Sequence, residues 1–118
     1  MAGSSEFVEF IVEVLQRFGN VIAKPMFGFG GHGLYLDGVM FALISNDTLY
    51  FKADDVSMND FLSLGMTPFS YLKNDTLCKM SYFSAPDEAL DDYEMMAHWA
   101  QKAYDAALRV HKDKKRSA

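Results

Sequence analysis

The chain has 118 residues, half of them hydrophobic, with ten Phe and eight Met: enough apolar side chain for one packed domain and too much for a disordered one. A formal net charge of −5 argues against a generic phosphate-backbone binder, and a single cysteine, Cys78, excludes an internal disulfide and a cysteine-based metal cluster. No apolar run approaches the ~20 residues of a membrane-spanning helix, and the amino terminus has neither a basic signal region nor a glycine at position 2, so a cytoplasmic protein is expected.

Ser4 or Ser5 can cap a first helix whose apolar residues Phe7, Phe10, Ile11, Val14, Leu15 and Phe18 recur at helical spacing, with Gly19 at its C′ position. Residues 21–27 follow as a short strand that Pro25 pushes toward an edge or a bulge. Residues 28–33, Gly-Phe-Gly-Gly-His-Gly, match the pattern G-x-G-x-x-G that cradles phosphate in dinucleotide sites. Such a site needs a helix directly after the glycines. Here strands over 34–37 and 39–45 follow instead, joined by Asp37-Gly38, a strong tight-hairpin signal. Positive φ and close chain reversal therefore account for the glycines. The alternative is a small-ligand or nucleotide sensor that uses Gly28, Gly30 and Gly33.

A third strand over 48–52 pairs back across Asn46-Asp47. Asp54 and Asp55 then open a short helix over Val56, Phe61, Leu62 and Leu64, closed by Gly65. Strands over 68–73 and 76–83 form another hairpin across Asn74-Asp75. The tetrapeptide Asn-Asp-Thr-Leu thus occurs at 46–49 and again at 74–77, which shared turn chemistry explains better than duplication. Pro86 begins a turn, and Asp91-Asp92-Tyr93-Glu94 supplies a capping box for a long last helix with Met96, Trp99, Ala100, Ala103, Ala107 and Val110 along one stripe. The result is an α+β, two-layer domain: one mostly antiparallel sheet of five or six strands, with helices at the N-terminus, middle and C-terminus on one face. Residues 1–110 form that domain, and 111–118 read as a basic flexible tail.

In residues 39–44 both alternating sets are apolar, the mark of a central strand covered on both faces. Helices can cover one face; the other must meet another chain, a ligand or a long loop. Tyr35 and Tyr50 are out of phase with Leu34, Leu36, Leu49 and Phe51 and belong on that second face. It reads as a homodimer or helix-packed face ahead of a base-stacking platform.

Little in the chain points to catalysis. His32, His98 and His111 lack metal-ligand spacing. Cys78 alternates with Met80 and Tyr82 as a packed thiol would, and the carboxylates at Asp54-Asp55, Asp87-Glu88 and Asp91-Asp92 stand where helices begin. No nucleophile, base and oxyanion site assemble, so neither enzymatic activity nor a cofactor is expected.

The run Lys24-Pro25-Met26-Phe27-Gly28, then Gly31-x-Gly33-x-Tyr35-x-Asp37-Gly38-x-x-Phe41-Ala42-Leu43-Ile44 and Leu49-Tyr50-x-Lys52-Ala53-Asp54, resembles the TfoX/Sxy N-terminal domain. The similarity continues through Pro68-Phe69-x-Tyr71 and Met80-Ser81-Tyr82 to Trp99-Ala100, covering nearly all of residues 5–110. It implies a two-layer fold similar to type III secretion chaperones, and kinship with bacterial competence regulators that act with the cyclic-AMP receptor protein. Lys24 stands where members often have Arg, and the second, helical domain of the competence regulators has no counterpart before Ala118, so a single-domain form is expected. The implied function is a non-enzymatic regulatory protein-interaction module. Its candidate surface comprises Lys24, Met26, Phe27, Gly28, Gly31, Gly33, Tyr35 and Tyr50. The expected partners are a protein, with a transcription regulator among the candidates, and a second copy in a homodimer. Direct nucleic-acid binding is not expected; the alternative is DNA contact through the basic residues 112–116.

Overall fold

The computed structural model describes residues 2–26 and 31–117, with side chains described for 6–26, 31–70, 74–77 and 81–112. The elements in chain order are α1 (Ala2–Leu15), β1 (Ile22–Pro25), β2 (His32–Leu36), β3 (Val39–Ser45), β4 (Thr48–Lys52), α2 (Met58–Leu62), β5 (Pro68–Lys73), β6 (Thr76–Ser84), α3 (Asp87–Asp91) and α4 (Tyr93–Ser117). The six strands make one sheet in the order β1-β2-β3-β4-β6-β5, and every neighbouring pair is antiparallel. This is the expected α+β architecture.

Local turn chemistry sets the hairpins. Asp37 and Gly38, Asn46 and Asp47, and Asn74 and Asp75 all take positive φ, between 51° and 79°. Positive φ at both central residues defines the type I′ turn, whose twist matches that of the strands it joins. The repeated Asn-Asp-Thr-Leu is therefore one turn used twice.

Helix α2 is closed as expected: Gly65 has φ +77°, Met66 N–H donates to the Phe61 carbonyl and Gly65 N–H to that of Leu62. That pair of bonds is the Schellman arrangement. Of the apolar residues assigned to this segment, only Phe61 is buried; Val56, Leu62 and Leu64 face solvent.

Other boundaries differ from expectation. Helix α1 begins at Ala2, so Ser4 and Ser5 lie inside it rather than capping it. Gly19 does not take positive φ; a Cβ there would stand 2.9 Å from a methyl of Leu36, so it is small to admit that side chain. A five-residue helix, α3, follows Pro86 where a turn was expected. Asp92, rather than Asp91, caps α4 by accepting from the Glu94 N–H at 2.9 Å. Helix α4 also runs on through the segment read as a flexible tail. That segment contains neither Gly nor Pro, and its cations are favoured at a helix C-terminus.

One irregularity decides which side chains share a face. Leu34 pairs with Ala42 and Tyr35 with Met40, leaving Phe41 as the extra residue of a bulge in β3. The bulge breaks the simple alternation expected for this strand. Val39, Phe41, Ala42 and Ile44 all belong to the core under the helices, while Met40 and Leu43 belong to a smaller cluster on the other face. The helical layer is built on α1 and α4, with Phe61 of α2 and Ala89 of α3 in the same core. Ala100, Ala103, Ala106 and Ala107 of α4 are buried, and such small residues bring the helix close to β3 and β4. Phe41 is fixed by Phe18 and Tyr104 at ring centroid distances of 5.8 and 6.0 Å, and Phe61 by Trp99 at 4.9 Å. Phe10, expected in the buried stripe of α1, is half exposed.

Candidate functional site

The face opposite the helices holds a cluster built from strands and the residue after β1. Leu43, Phe69 and Tyr82 are buried there, with Met26, Met40 and Tyr50 packed over them. No described helix contributes to this cluster. The doubly apolar strand thus needs no large cover: the bulge moves Phe41 and Ala42 to one side, and neighbouring side chains enclose Leu43 on the other. Tyr50 meets Phe69 edge-on at 5.0 Å between ring centroids.

Register places the rest. Lys24 pairs with Gly33, Gly33 with Leu43, and Leu43 with Tyr50, so these four residues cross the sheet on the open face. Tyr35 pairs with Met40, and Lys52 with Tyr82, so these lie on the same face. The Lys24 ammonium sits 5.0 Å from the Tyr35 ring centroid, and that of Lys52 5.0 Å from the Tyr82 ring centroid. Each is a cation–π contact that holds a flexible cation over a fixed ring. Burial, with Tyr35 nearby, pushes the Tyr82 phenol up to about 12.

Of the eight residues expected in the interaction surface, Lys24, Met26, Gly33, Tyr35 and Tyr50 share this face. Gly31 is buried, and a Cβ on it would overlap the Ile44 carbonyl oxygen. At Gly33 a Cβ would stand 3.0 Å from the Tyr35 ring and 3.1 Å from the Met40 sulfur. Neither glycine takes positive φ. Close packing, rather than the expected left-handed conformation, therefore explains both. Phe27, Gly28 and Gly30 lie outside the described residues.

Sequence reasoning missed Met40, Lys52, Phe69 and Tyr82. Lys52 and Tyr82 could have been found by continuing the alternation from Tyr50 along β4, but their neighbourhood depends on β6, not β5, lying beside β4. The open face leads at one edge into a groove of about 310 Å³ lined by Tyr35, Met40, Lys52 and Tyr82 and, from α4, Val110 and His111. Beside it lies a groove of about 540 Å³, whose polar lining includes Lys52, Asp54, Asp55, Ser81, Arg109 and Lys112.

Of the carboxylates expected to cap helices, only Asp92 does so; α2 and α3 begin after Ser57 and Pro86 without a side-chain cap, and Asp54 and Glu88 bond elsewhere. Asp54 accepts from the backbone N–H and the hydroxyl of Ser57, while Ser57 Oγ accepts from the Asp54 N–H. Asp54 also takes a two-point ion pair from Arg109, which together with the Ser57 backbone bond lowers its carboxyl to about 2. Glu88 accepts from the Trp99 indole N–H at 2.9 Å. Among the described residues, no three His, Cys, Asp or Glu side chains gather where a metal could be held. No helix of the described residues is long and apolar enough to cross a membrane.

A single antiparallel sheet, helices on one face and an aromatic-basic opposite face define a small two-layer α+β domain. The profile described as TfoX N-terminal domain matches residues 13–107, and the chain belongs to that family. A search of curated proteins finds no match.

Proposed function

We propose that this domain is a non-enzymatic regulatory module that works by docking another polypeptide on its open sheet face. The observation that carries the reading is the asymmetry of the sheet. Helices cover one face, whereas on the other Lys24 is exposed and Tyr35, Met40, Tyr50 and Lys52 are half-buried. Surfaces that mix aromatic, Met and cationic side chains are typical of protein interfaces. Membership of the TfoX N-terminal domain family supports a regulatory setting, with a transcription regulator as the partner class and the cytoplasm as the compartment. Two occupants fit a face of this kind, a second copy of the chain and a different protein.

Photo-crosslinking in the native host tests the reading. A benzophenone amino acid at position 50 is expected to yield polypeptide adducts, and the same probe at position 105, on the exposed side of α4, is not. Equal yields from both positions would remove the sheet face as the docking surface.

A further inference from the structure

We infer that the occupant of the open face is an acidic polypeptide segment, held by Lys24 and Lys52 over their tyrosines and by His111 and Lys112 of α4. The inference rests on the docking role proposed above and names the chemistry of the partner. Its basis is where the chain puts its charge. All 16 carboxylates lie in helices, turns and loops, and none in the six strands, which instead carry Lys24, Lys52, Lys73 and Lys79. A chain of net charge −5 thus presents a sheet of positive sign. At the Tyr35–Tyr82 edge the groove adds His111, and among the described residues its lining has no carboxylate. The neighbouring groove adds Lys112, against Asp55; its Arg109 is already paired with Asp54.

The cation–π contacts matter for recognition because they fix each ammonium before a ligand arrives. A carboxylate then meets N–H donors whose side-chain entropy is already partly spent, which favours charge-assisted hydrogen bonds. Charge also decides between occupants. A two-fold pairing of this face with itself brings Lys24 and Lys52 of one copy toward the same lysines of the other, with no strand carboxylate to pair them. Docking on the acidic helices of another copy makes a head-to-tail contact, which builds a ring or a filament rather than a two-fold dimer. Nucleic acid is disfavoured because the Tyr35 and Tyr82 rings, on which bases would stack, already carry lysines.

The test uses the full chain labelled with nitrogen-15 and two probes, poly-L-glutamate of about 20 residues and a thymidine 20-mer. Poly-L-glutamate is expected to shift the amides around Lys24, Tyr35, Tyr50 and Lys52, with affinity falling about tenfold or more between 20 and 200 mM salt. The double variant K24E/K52E is expected to lose those shifts. R17E/K102E, with the same change in net charge on the helical layer, is expected to keep them. Should K24E/K52E fail to fold, K24Q/K52Q is expected to weaken binding and flatten its salt dependence. Shifts that are absent, that move to the helical layer, or that persist equally in both charge-reversed variants overturn the inference. Tighter binding of the thymidine 20-mer at the same amides overturns it in favour of a nucleic-acid platform. Crosslinks at position 50 without any response to poly-L-glutamate would leave the docking reading standing and remove only the acidic partner.

Discussion

Arg109 of α4 reaches back 55 residues to hold Asp54, with Nε donating to Oδ2 at 2.5 Å and Nη2 to Oδ1 at 2.9 Å. The pair ties the chain just after β4 to the C-terminal half of α4. It does so beside Lys52, so it also steadies the basic edge of the open face. The Asp54 side chain is 13% exposed and that of Arg109 40%. Arg109→Ala strands a largely buried carboxylate, and the expected loss is ~1–2 kcal/mol of stability. Urea unfolding near neutral pH measures it. Arg109→Lys should recover only part of the loss, because an ammonium cannot reproduce the two-point fork.

The same pair sets a pH dependence. The folded Asp54 carboxyl is lowered from 3.8 to about 2, so its contribution is fully present above pH 3.8 and is lost as pH falls through 2. Because Arg109 is partly solvent-screened, the contribution amounts to ~1 kcal/mol. Urea midpoints of the wild type and Asp54→Asn should converge between pH 3.8 and 2. A gap that stays constant over that range would contradict the assignment.

Tyr82 has the opposite sign. Its folded phenol is raised from 10.0 to about 12, so burying the neutral ring stabilises the fold below pH 10, and that contribution disappears as pH rises through 12. Alkaline titration followed at 295 nm should show a late step that is missing in Tyr82→Phe. Identical titrations above pH 11 would mean that the ring is not enclosed as described.

Gly31→Ala should be far more damaging than Gly38→Ala, although only Gly38 has positive φ. At Gly31 the added methyl overlaps the Ile44 backbone oxygen, and moving a central strand should cost more than ~3 kcal/mol. At Gly38 the space is open, and left-handed strain alone should cost ~1 kcal/mol. Thermal unfolding of the two variants compares them directly.

What was legible in the sequence was local. The three hairpin turns follow from Asp-Gly and Asn-Asp pairs, and the placement of Tyr35 and Tyr50 follows from period-two alternation within single strands. What escaped depends on distant chain. The bulge at Phe41 shifts the phase of β3 after its first residues, and no residue type in that strand announces it. The Asp54–Arg109 pair joins segments that only the folded helix layer brings together. Gly19, Gly31 and Gly33 show the limit of motif reading, since their smallness serves Leu36, Ile44, and Tyr35 with Met40 respectively.

The strand order has a mechanical consequence. Strands β1 to β4 form an antiparallel meander, and β5 and β6 form a separate hairpin. The residue pairs Tyr50–Ser84, Phe51–Phe83 and Lys52–Tyr82, flanked by hydrogen bonds from Ala53 N–H to the Ser81 carbonyl and from Ala85 N–H to that of Leu49, sew the two together. That seam is where two units with local internal connections meet, so a sub-global opening of the sheet would be read there first. Lys52 and Tyr82 stand on opposite sides of it. A polypeptide gripping both would act as a suture, and slower amide exchange at Phe51 and Phe83 would be its signature.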